Sequence, residues 1–421
     1  MKTLYRNGFI YTSSGFKRAD FGVIDGIIRF SCLDDSFYDS VIDINNKYVI
    51  PGLADVHVHL REPGFSYKET IRSGTMAAAK GGYTLVASMP NLKPVPSNLE
   101  NLNVQLDIIK KDALIDVIPY GTITDNQSGR GELSKMAEMQ DYVIGFTDDG
   151  KGVQSKELMK EAMLEAKKLN KPIVAHCEDE SLINGGYIHE GEYALQHGHA
   201  GISSRSEWID VQRDIELAKQ TGVQYHICHV STKESVAVIR EAKKQGLRVT
   251  AETAPHYLTL CDEDLREDGY FKMNPPIRSK EDRAALIEGI KDGTIEVIAT
   301  DHAPHSKEEK SKGLKGSSFG IVGLETAFSI MYTKLVLKGV ITLEELVKLM
   351  SVNPRKIFNL KEIYIEDGYS ADFTVIDLEK EYVIDSEKFV SMGKATPFNG
   401  EKVKSEIMRT VYQGNTVFSI D

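Results

Sequence analysis

The sequence has no apolar run long enough to span a membrane, and its N-terminus lacks the apolar segment and cleavage site of a secretory signal. Cysteine is scarce as well, with only 4 residues and no Cys-x-x-Cys pair. Such spacing argues against a disulfide framework and fits a reducing compartment. We therefore expect a cytoplasmic protein with no membrane partner. The cysteines are Cys32, Cys177, Cys228 and Cys261.

The chain also has no excess of basic over acidic residues. The chain has 51 Lys and Arg against 62 Asp and Glu, for a formal net charge of −11. Nucleic-acid binding depends largely on clustered positive charge, so we expect no nucleic-acid partner and a small-molecule substrate instead. The hydrophobic share of 41% and the charged share of 27% are ordinary for a globular protein, which excludes disordered and membrane classes.

The two ends of the chain resemble each other in pattern. Residues 1–50 and 360–421 consist of short β-type segments broken by turns, without long helical periodicity. We predict that both ends pair into one small β-sandwich domain. The segment between them, residues 51–359, alternates short apolar runs with amphipathic stretches, which is typical of βα units.

Eight strands can be placed in this middle segment, near residues 54–59, 84–89, 116–121, 142–147, 172–177, 224–230, 247–252 and 296–301. Helices are predicted at residues 156–169, 234–244 and 281–291. Eight βα units in about 300 residues predict a TIM-type (β/α)₈ barrel, in the α/β class. A doubly wound open sheet is the rival, but no Gly-x-Gly-x-x-Gly follows the first strand.

Two histidines stand two positions apart in Asp55-Val56-His57-Val58-His59, at the end of the first predicted strand. Alternate residues of a strand point to the same side, so His57 and His59 could hold one metal ion. An isolated pair of this kind more often packs or hydrogen-bonds. It becomes informative only together with residues elsewhere.

Other potential ligands end further predicted strands. His176 and His229 each close an apolar run, Asp301 ends the eighth strand, and Asp149 follows the fourth. Strand ends of a barrel converge at one mouth. Four histidines and two aspartates exceed the needs of one tetrahedral zinc ion but suit two ions that share a bridging carboxylate. The residues alone do not separate Asp149 from Asp148 as the bridge.

Seven blocks, in order along nearly the whole chain, resemble the bacterial type I dihydroorotases of the amidohydrolase superfamily. They are Asp55-Val56-His57-Val58-His59-Leu60-Arg61-Glu62-Pro63-Gly64, Met89-Pro90-Asn91, Phe146-Thr147-Asp148-Asp149-Gly150, Ala175-His176-Cys177-Glu178, His229-Val230-Ser231-Thr232, Asn274-Pro275-Pro276-Ile277-Arg278 and Ala299-Thr300-Asp301-His302-Ala303-Pro304-His305. The resemblance implies a zinc-dependent enzyme that reversibly closes N-carbamoyl-L-aspartate to L-dihydroorotate plus water, in de novo pyrimidine (UMP) biosynthesis.

The resemblance also implies residue roles. One zinc ion would be held by His57 and His59, and a second by His176 and His229. Asp149 would bridge the two ions, and Asp301 would bind one ion and act as the catalytic proton carrier. The implied substrate-binding residues are Arg61, Asn91, Asn274, His305, Phe319 and Gly320, with Arg61 as the expected anchor of the substrate carboxylate. We further expect two zinc ions per subunit and a homodimer, and association with aspartate carbamoyltransferase is an open hypothesis.

The segment after the last predicted strand, residues 302–320, is rich in Lys, Ser and Gly. A solvated loop is the ordinary interpretation of such a segment. Its position beside the predicted site favours a mobile lid over a helix.

Two alternatives remain open. Hydantoinases, dihydropyrimidinases and allantoinases share this architecture but typically bridge their metals with a carboxylated lysine at the end of strand four. Here Lys151 lies beyond that strand end, which favours the aspartate bridge. A non-catalytic scaffold is the second alternative. The presence of all six potential ligands disfavours it, because converging polar groups are costly to bury without metal.

Overall fold

A computed structural model describes residues 2–31 and 33–420 of the chain. Cys32 and the first and last residues of the predicted terminal domain lie outside the described residues. Cys177, Cys228 and Cys261 are buried and free. Within the described ranges, no helix combines the length and the apolar character needed to cross a membrane.

The strands are β1 (Lys2–Thr12), β2 (Gly15–Ile24), β3 (Ile27–Arg29), β4 (Ser40–Asp43), β5 (Tyr48–Pro51), β6 (Leu53–Val58), β7 (Tyr83–Ser88), β8 (Asp116–Pro119), β9 (Ile173–Ala175), β10 (Ile188–His189), β11 (Gly201–Ile202), β12 (Tyr225–Ile227), β13 (Val249–Thr253), β14 (Val297–Ile298), β15 (Phe373–Val383), β16 (Lys402–Tyr412) and β17 (Asn415–Ser419).

The helices are α1 (Ile71–Lys80), α2 (Leu99–Asp112), α3 (Met136–Met139), α4 (Lys156–Lys168), α5 (Glu192–His197), α6 (Arg205–Thr221), α7 (Lys233–Lys244), α8 (Pro255–Thr259), α9 (Lys280–Lys291), α10 (Lys307–Lys310), α11 (Gly313–Gly316), α12 (Ala327–Met331), α13 (Leu343–Val347) and α14 (Asn353–Ile357). Two π-helical turns follow α12 and α13, at Tyr332–Val336 and Lys348–Val352. The three helices predicted from the sequence, α4, α7 and α9, begin at side-chain caps from Ser155, Thr232 and Ser279.

Parallel strands form a ring of eight positions. One sheet has the order β6-β7-β8 and another β14-β13-β12-β9. Phe146 bridges both Gly121 and Ile173 and so joins β8 to β9, while Val58 bridges His302 and joins β6 to the end of β14. These links support the predicted barrel.

The fourth barrel position is shorter than predicted. On the β9 side, Phe146 N donates to Pro172 O, Val174 N donates to Phe146 O, and the pairing goes no further towards the start of the strand. Proline has no N–H to donate there, so the ladder stops at Pro172. On the β8 side the pairing continues, with Ile144 N donating to Pro119 O and Thr147 N donating to Gly121 O. Backbone pairing covers residues 144–147, whereas the sequence predicts a strand over residues 142–147.

Both chain ends contribute to one mixed sheet, with the order β17-β16-β15-β5-β1-β2-β3 and β4 paired to β1. The ends meet where Phe373 of β15 lies opposite Pro51 of β5 in an antiparallel pair. Tyr5 and Phe21 stack at 5.0 Å, and Tyr5 meets the edge of Phe373 at 5.1 Å. The predicted pairing of the two ends and the α/β barrel class are confirmed.

The segment 302–320 is not purely a loop. It contains the four-residue helices α10 and α11, which differs from the expectation of no helix. Lys310 of α10 has a buried side chain, and its Nζ donates to the carbonyls of Lys272, Ser318 and Gly320 at 3.0, 2.8 and 2.7 Å. Burial lowers the pKa of Lys310 to about 7, whereas three carbonyl acceptors match the three N–H groups of the charged form. This contact fixes the far end of the segment.

Candidate active site

The predicted ligands lie at the C-terminal ends of the barrel strands, where the backbone turns sharply. Arg61, His229 and Asp301 adopt left-handed φ values of 62°, 33° and 49°. Such positions cost non-glycine residues about 1–3 kcal/mol and persist where the surrounding structure holds them. The strained turns aim these side chains into the mouth of the barrel.

The first group of side chains contains His57, His59 and Asp301. His59 Nε2 lies 3.1 Å from Asp301 Oδ1, and His57 Nε2 lies 3.5 Å from the same oxygen. The second group contains His176 and His229, with His176 Nδ1 at 2.9 Å from His229 Nε2. All five side chains are buried.

Asp149 lies between the two groups. Its Oδ1 is 3.4 Å from His57 Nε2, 3.4 Å from His229 Nε2 and 3.7 Å from His176 Nδ1. Its Oδ2 is 3.5 Å from His59 Nε2. One carboxylate therefore faces both groups, which is the arrangement expected of a bridging ligand.

The donor atoms fit a pair of metal ions. Two atoms that share a tetrahedral ion at about 2.0–2.1 Å lie about 3.3 Å apart, close to the separations above. His57 Nε2 and Asp149 Oδ1 are buried and have no hydrogen-bond partner among the described residues. Buried polar atoms are nearly always paired, so these two are arranged for a ligand that is not part of the chain. We name His57, His59, His176 and His229 the site histidines.

Asp148 and Asp149 differ sharply in their surroundings. Asp148 accepts hydrogen bonds from the backbone N–H groups of Ile123, Thr124 and Gly129 and from the Thr124 hydroxyl. It therefore fastens the loop after β8 and points away from the site histidines. Lys151, the nearest lysine that could replace an aspartate bridge, is exposed.

Electrostatics favour an ionised Asp149. Burial alone would raise the pKa of this carboxyl, but the neighbouring rings of His57 and His229 hold the pKa well below its usual range. Burial similarly opposes ionisation of Asp301, and His57 and His59 bring its pKa below the ordinary value. Both carboxylates are thus anionic at neutral pH, as a ligand for a cation must be.

A cavity of about 200 Å³ opens above the site. Its lining includes every residue predicted to bind substrate, namely Arg61, Asn91, Asn274, His305, Phe319 and Gly320, together with His59, Asp149, His176, His229 and Asp301. His57 is fully buried beneath them. The structure therefore brings all the predicted site residues together.

Arg61 and His305 stand at one wall of the cavity. Arg61 Nε donates to Pro304 O at 3.1 Å, and Arg61 Nη2 lies 3.3 Å from His305 Nε2. The other N–H groups of the guanidinium have no hydrogen-bond partner among the described residues. Burial lowers the pKa of Arg61 to about 10, so it stays charged at neutral pH. Burial and the Arg61 charge lower the pKa of His305 to about 3, and its Nε2 donates to Phe319 O at 2.7 Å.

Two amides present acceptors to the cavity. Asn91 Nδ2 donates to Asp149 O at 2.7 Å, and Asn274 Nδ2 donates to both oxygens of Glu178 at 3.1 and 3.2 Å. In both residues the Oδ1 atom is buried without a partner among the described residues. Each side chain is oriented through its NH₂ group, and its carbonyl oxygen is left for a ligand.

Several buried groups around the site were not predicted from the sequence. Glu178 contacts His176 Nε2 at 3.5 Å, and Asp55 accepts from Thr300 Oγ1 at 2.6 Å, which ties the ends of β6 and β14 together. Glu252 contacts His57 Nδ1 at 2.5 Å. Glu178 and Asp55 lie inside two of the seven sequence blocks given above, so the sequence did contain a signal for them. Glu252 ends a predicted strand, but no spacing rule links it to His57.

His256 is buried near the site without joining either group of ligands. Its ring centroid lies 4.1 Å from that of Tyr257 with the two ring planes tilted by 59°, and burial lowers the pKa of His256 to about 4. No ligand role is predicted for it from the sequence, and the structure gives it none.

Comparison with known proteins agrees with this geometry. The model of the family described as Dihydro-orotase-like matches residues 46–235. A dihydroorotase from Fusobacterium nucleatum subsp. nucleatum is 52% identical over 417 residues, covering 99% of this chain and 98% of that protein. A dihydroorotase from Halalkalibacterium halodurans is 50% identical over 422 residues, covering 99% and 98%.

Solved structures with the same fold include a second group of enzymes. The L-hydantoinase (dihydropyrimidinase) from Arthrobacter aurescens gives a TM-score of 0.88 at 27% identity and covers 99% of this chain and 96% of that one. The dihydropyrimidinase from Brevibacillus agri NCHU1002 gives 0.86 at 23% identity, with 100% and 95% covered. These likenesses support the barrel and the sheet built from both chain ends.

Proposed function

This chain belongs to the dihydroorotase family, and from that premise we propose that it interconverts L-dihydroorotate and N-carbamoyl-L-aspartate at two zinc ions. It is a cyclic amide hydrolase. The observation that carries the proposal is Asp149, whose two carboxylate oxygens face both pairs of site histidines beneath a cavity walled by Arg61. Two zinc ions bridged by Asp149, beside the charged guanidinium of Arg61, would suit a substrate with a ring amide and a carboxylate.

We propose that His57, His59 and Asp301 hold the first ion, that His176 and His229 hold the second, and that Asp149 bridges them. Bound there, the ions would supply an activated water and polarise the ring carbonyl. The buried Cys228 Sγ also lies within 4.8 Å of ligand atoms of His57 and Asp149. We assign the two ions to the histidine and aspartate side chains and leave Cys228 out of the proposed ligands. The histidine and carboxylate donors match zinc among biological metals.

Asp301 is proposed as the proton carrier. In the hydrolytic direction the C–N bond of the ring amide breaks, hydroxyl adds to the carbonyl carbon, and one proton must reach the leaving nitrogen. Asp301 is anionic, lines the cavity and contacts His59, so it can take the water proton and return it to that nitrogen. In the synthetic direction the same proton moves in reverse.

The cavity walls recognise the rest of the substrate. Arg61 would bind the carboxylate through a charge-assisted fork. The free Oδ1 acceptors of Asn91 and Asn274 suit the two ring N–H donors of dihydroorotate. His305 and the backbone at Phe319 and Gly320 would close the ring off from water.

We also propose the boundaries and setting of the enzyme. Residues 51–359 form the catalytic barrel, and residues 1–50 with 360–421 form the terminal β domain. The protein acts in the cytoplasm, as a homodimer, on a small-molecule substrate, and association with aspartate carbamoyltransferase is the partner hypothesis to test.

A kinetic comparison tests the proposal. Purified protein is assayed in both directions with carbamoyl-aspartate and dihydroorotate, beside hydantoin and allantoin. We expect kcat/KM for dihydroorotate to exceed that for the uncharged ring amides by at least about 100-fold, because they offer Arg61 no carboxylate. Equal turnover of hydantoin would favour the hydantoinase-like alternative, and no turnover of any substrate would favour a scaffold.

A further inference from the structure

The barrel interior holds a hydrogen-bonded chain that the reaction described above does not use. We propose that Glu252 is a positioning residue, which fixes the orientation and tautomer of His57 and so selectively strengthens the first metal site. The inference rests on the proposed function, because it requires the two-ion centre. It concerns the side of His57 that faces away from the cavity.

Glu252 is placed in the barrel interior by its strand. On the adjacent parallel strands β12 and β13, His226 pairs with Thr250, and Glu252 follows two residues later on the same face. Glu252 and His226 are 1% and 0% exposed. The hydrophobic cluster of the barrel interior includes Val56, Val174 and Val297.

The contacts run in one line. His57 Nδ1 lies 2.5 Å from Glu252 Oε1, and His226 Nε2 lies 3.2 Å from Glu252 Oε2. His226 Nδ1 then lies 2.8 Å from the Thr250 hydroxyl. Each carboxylate oxygen therefore meets one imidazole nitrogen.

The directions of these bonds follow from donor chemistry. A carboxylate can only accept, so His57 Nδ1 and His226 Nε2 must both carry hydrogen. A neutral His226 then has a free lone pair on Nδ1, which accepts from the Thr250 hydroxyl. A neutral His57 likewise has its lone pair on Nε2, the unpartnered atom that faces Asp149 and Asp301.

Glu252 also contributes charge. The described residues place no lysine or arginine in an ion pair with it, and its ion-pair partners there are His57 and His226. A buried anion without a strong cation is costly, but it becomes favourable when a positive ion lies on the far side of His57. Carboxylates behind metal-binding histidines raise ligand basicity, and their loss typically weakens metal binding about 10- to 100-fold.

The effect is specific to one site. Glu252 contacts His57 of the first pair through its side chain, and its contact with the second pair is a long 3.4 Å bond from the backbone N–H of His229. Removal of the Glu252 charge should therefore weaken binding of the first zinc ion and leave binding of the second nearly unchanged. A merely structural role would lower the stability of the whole barrel without separating the two ions.

The test measures zinc affinity by chelator competition on purified full-length protein, with thermal unfolding recorded in parallel. Glu252→Gln keeps the shape and an acceptor for His57 and removes the charge. Glu207→Gln is the matched control, because Glu207 is a buried carboxylate at 3% exposure that accepts from Ser231, Thr232 and Ser235. Thr250→Val, which removes only the last hydroxyl, serves as a milder variant if Glu252→Gln does not fold.

We expect Glu252→Gln to lower the affinity for one of the two zinc ions about 10- to 100-fold and the affinity for the other by less than about threefold. Thr250→Val should weaken the same ion by a smaller factor, and Glu207→Gln should retain both affinities even if its Tm falls. In a His176→Ala background, which removes a ligand of the second ion, Glu252→Gln should weaken the remaining ion as well.

The inference is wrong if Glu252→Gln binds both zinc ions with wild-type affinity. It is also wrong if the affinities for both ions fall equally. Selective weakening by Glu207→Gln to the same extent would also overturn it. Wild-type protein that binds no zinc would instead overturn the proposed function, and that result is read before any variant is compared. The two failures are therefore distinguishable.

Discussion

Arg61→Met tests how the enzyme selects a substrate that bears a carboxylate. Methionine keeps much of the side-chain length and removes the guanidinium. Arg61 is held by Pro304 O through Nε, so its fork is already oriented before substrate binds. The left-handed backbone at residue 61 is unfavourable for both side chains, so backbone strain should change little.

The expected loss follows from the contact removed. A charge-assisted pair in a buried site contributes about 3 kcal/mol, and about 1.4 kcal/mol corresponds to a tenfold rate change. We therefore expect kcat/KM for dihydroorotate to fall by at least about 100-fold. Arg61→Lys keeps the charge without the fork and should lose less.

The assay compares dihydroorotate with an uncharged cyclic amide and measures zinc content in the same preparations. The zinc content should not change, because Arg61 is not among the proposed ligands, and turnover of the uncharged amide should change much less. If both substrates lose activity equally while zinc stays bound, Arg61 organises the site and does not recognise the carboxylate. Specificity would then have to lie with Asn91, Asn274 and His305.

Other variants test the rest of the site. Alanine at any site histidine should lower bound zinc together with activity, and undiminished zinc in all four variants would refute the ligand assignment. Asp301→Asn should keep much of the zinc but lose about 10²- to 10⁴-fold in kcat, and full activity would show that another group moves the proton. Carbamoyl-aspartate should protect residues 307–315 from trypsin, and unchanged cleavage would rule out a closing lid. Lys310→Met should speed that cleavage, since three carbonyls lose their donor, and an unchanged rate would contradict this anchoring role. Asp148→Asn should lower Tm by several degrees yet retain zinc, and loss of zinc would contradict its assignment to the loop.

The barrel was predictable because its strands are short apolar runs separated by amphipathic helices. That local signal also located His57, His176 and Asp301 at strand ends, where the barrel rule brings them together. The short fourth position was not anticipated, although Pro172 on the neighbouring strand carries the reason: it offers no N–H to extend the pairing.

Contacts that depend on long-range packing could not be predicted from the sequence. Glu252 and His57 are 195 positions apart and meet only because the barrel closes. The same holds for Lys310, whose buried ammonium meets a carbonyl from Lys272 in a different segment. A lysine-rich, glycine-rich stretch predicts exposure, and the burial of one lysine in it leaves no local signature.

The central claim is that turnover needs two zinc ions at the Asp149-bridged site. Its most direct test strips the purified enzyme of metal, adds zinc in measured steps and follows dihydroorotate hydrolysis against zinc bound per chain. We predict negligible activity without metal, full activity near two ions per chain, and no recovery in Asp149→Asn. Full activity in metal-free protein, or full recovery in Asp149→Asn, would contradict the account.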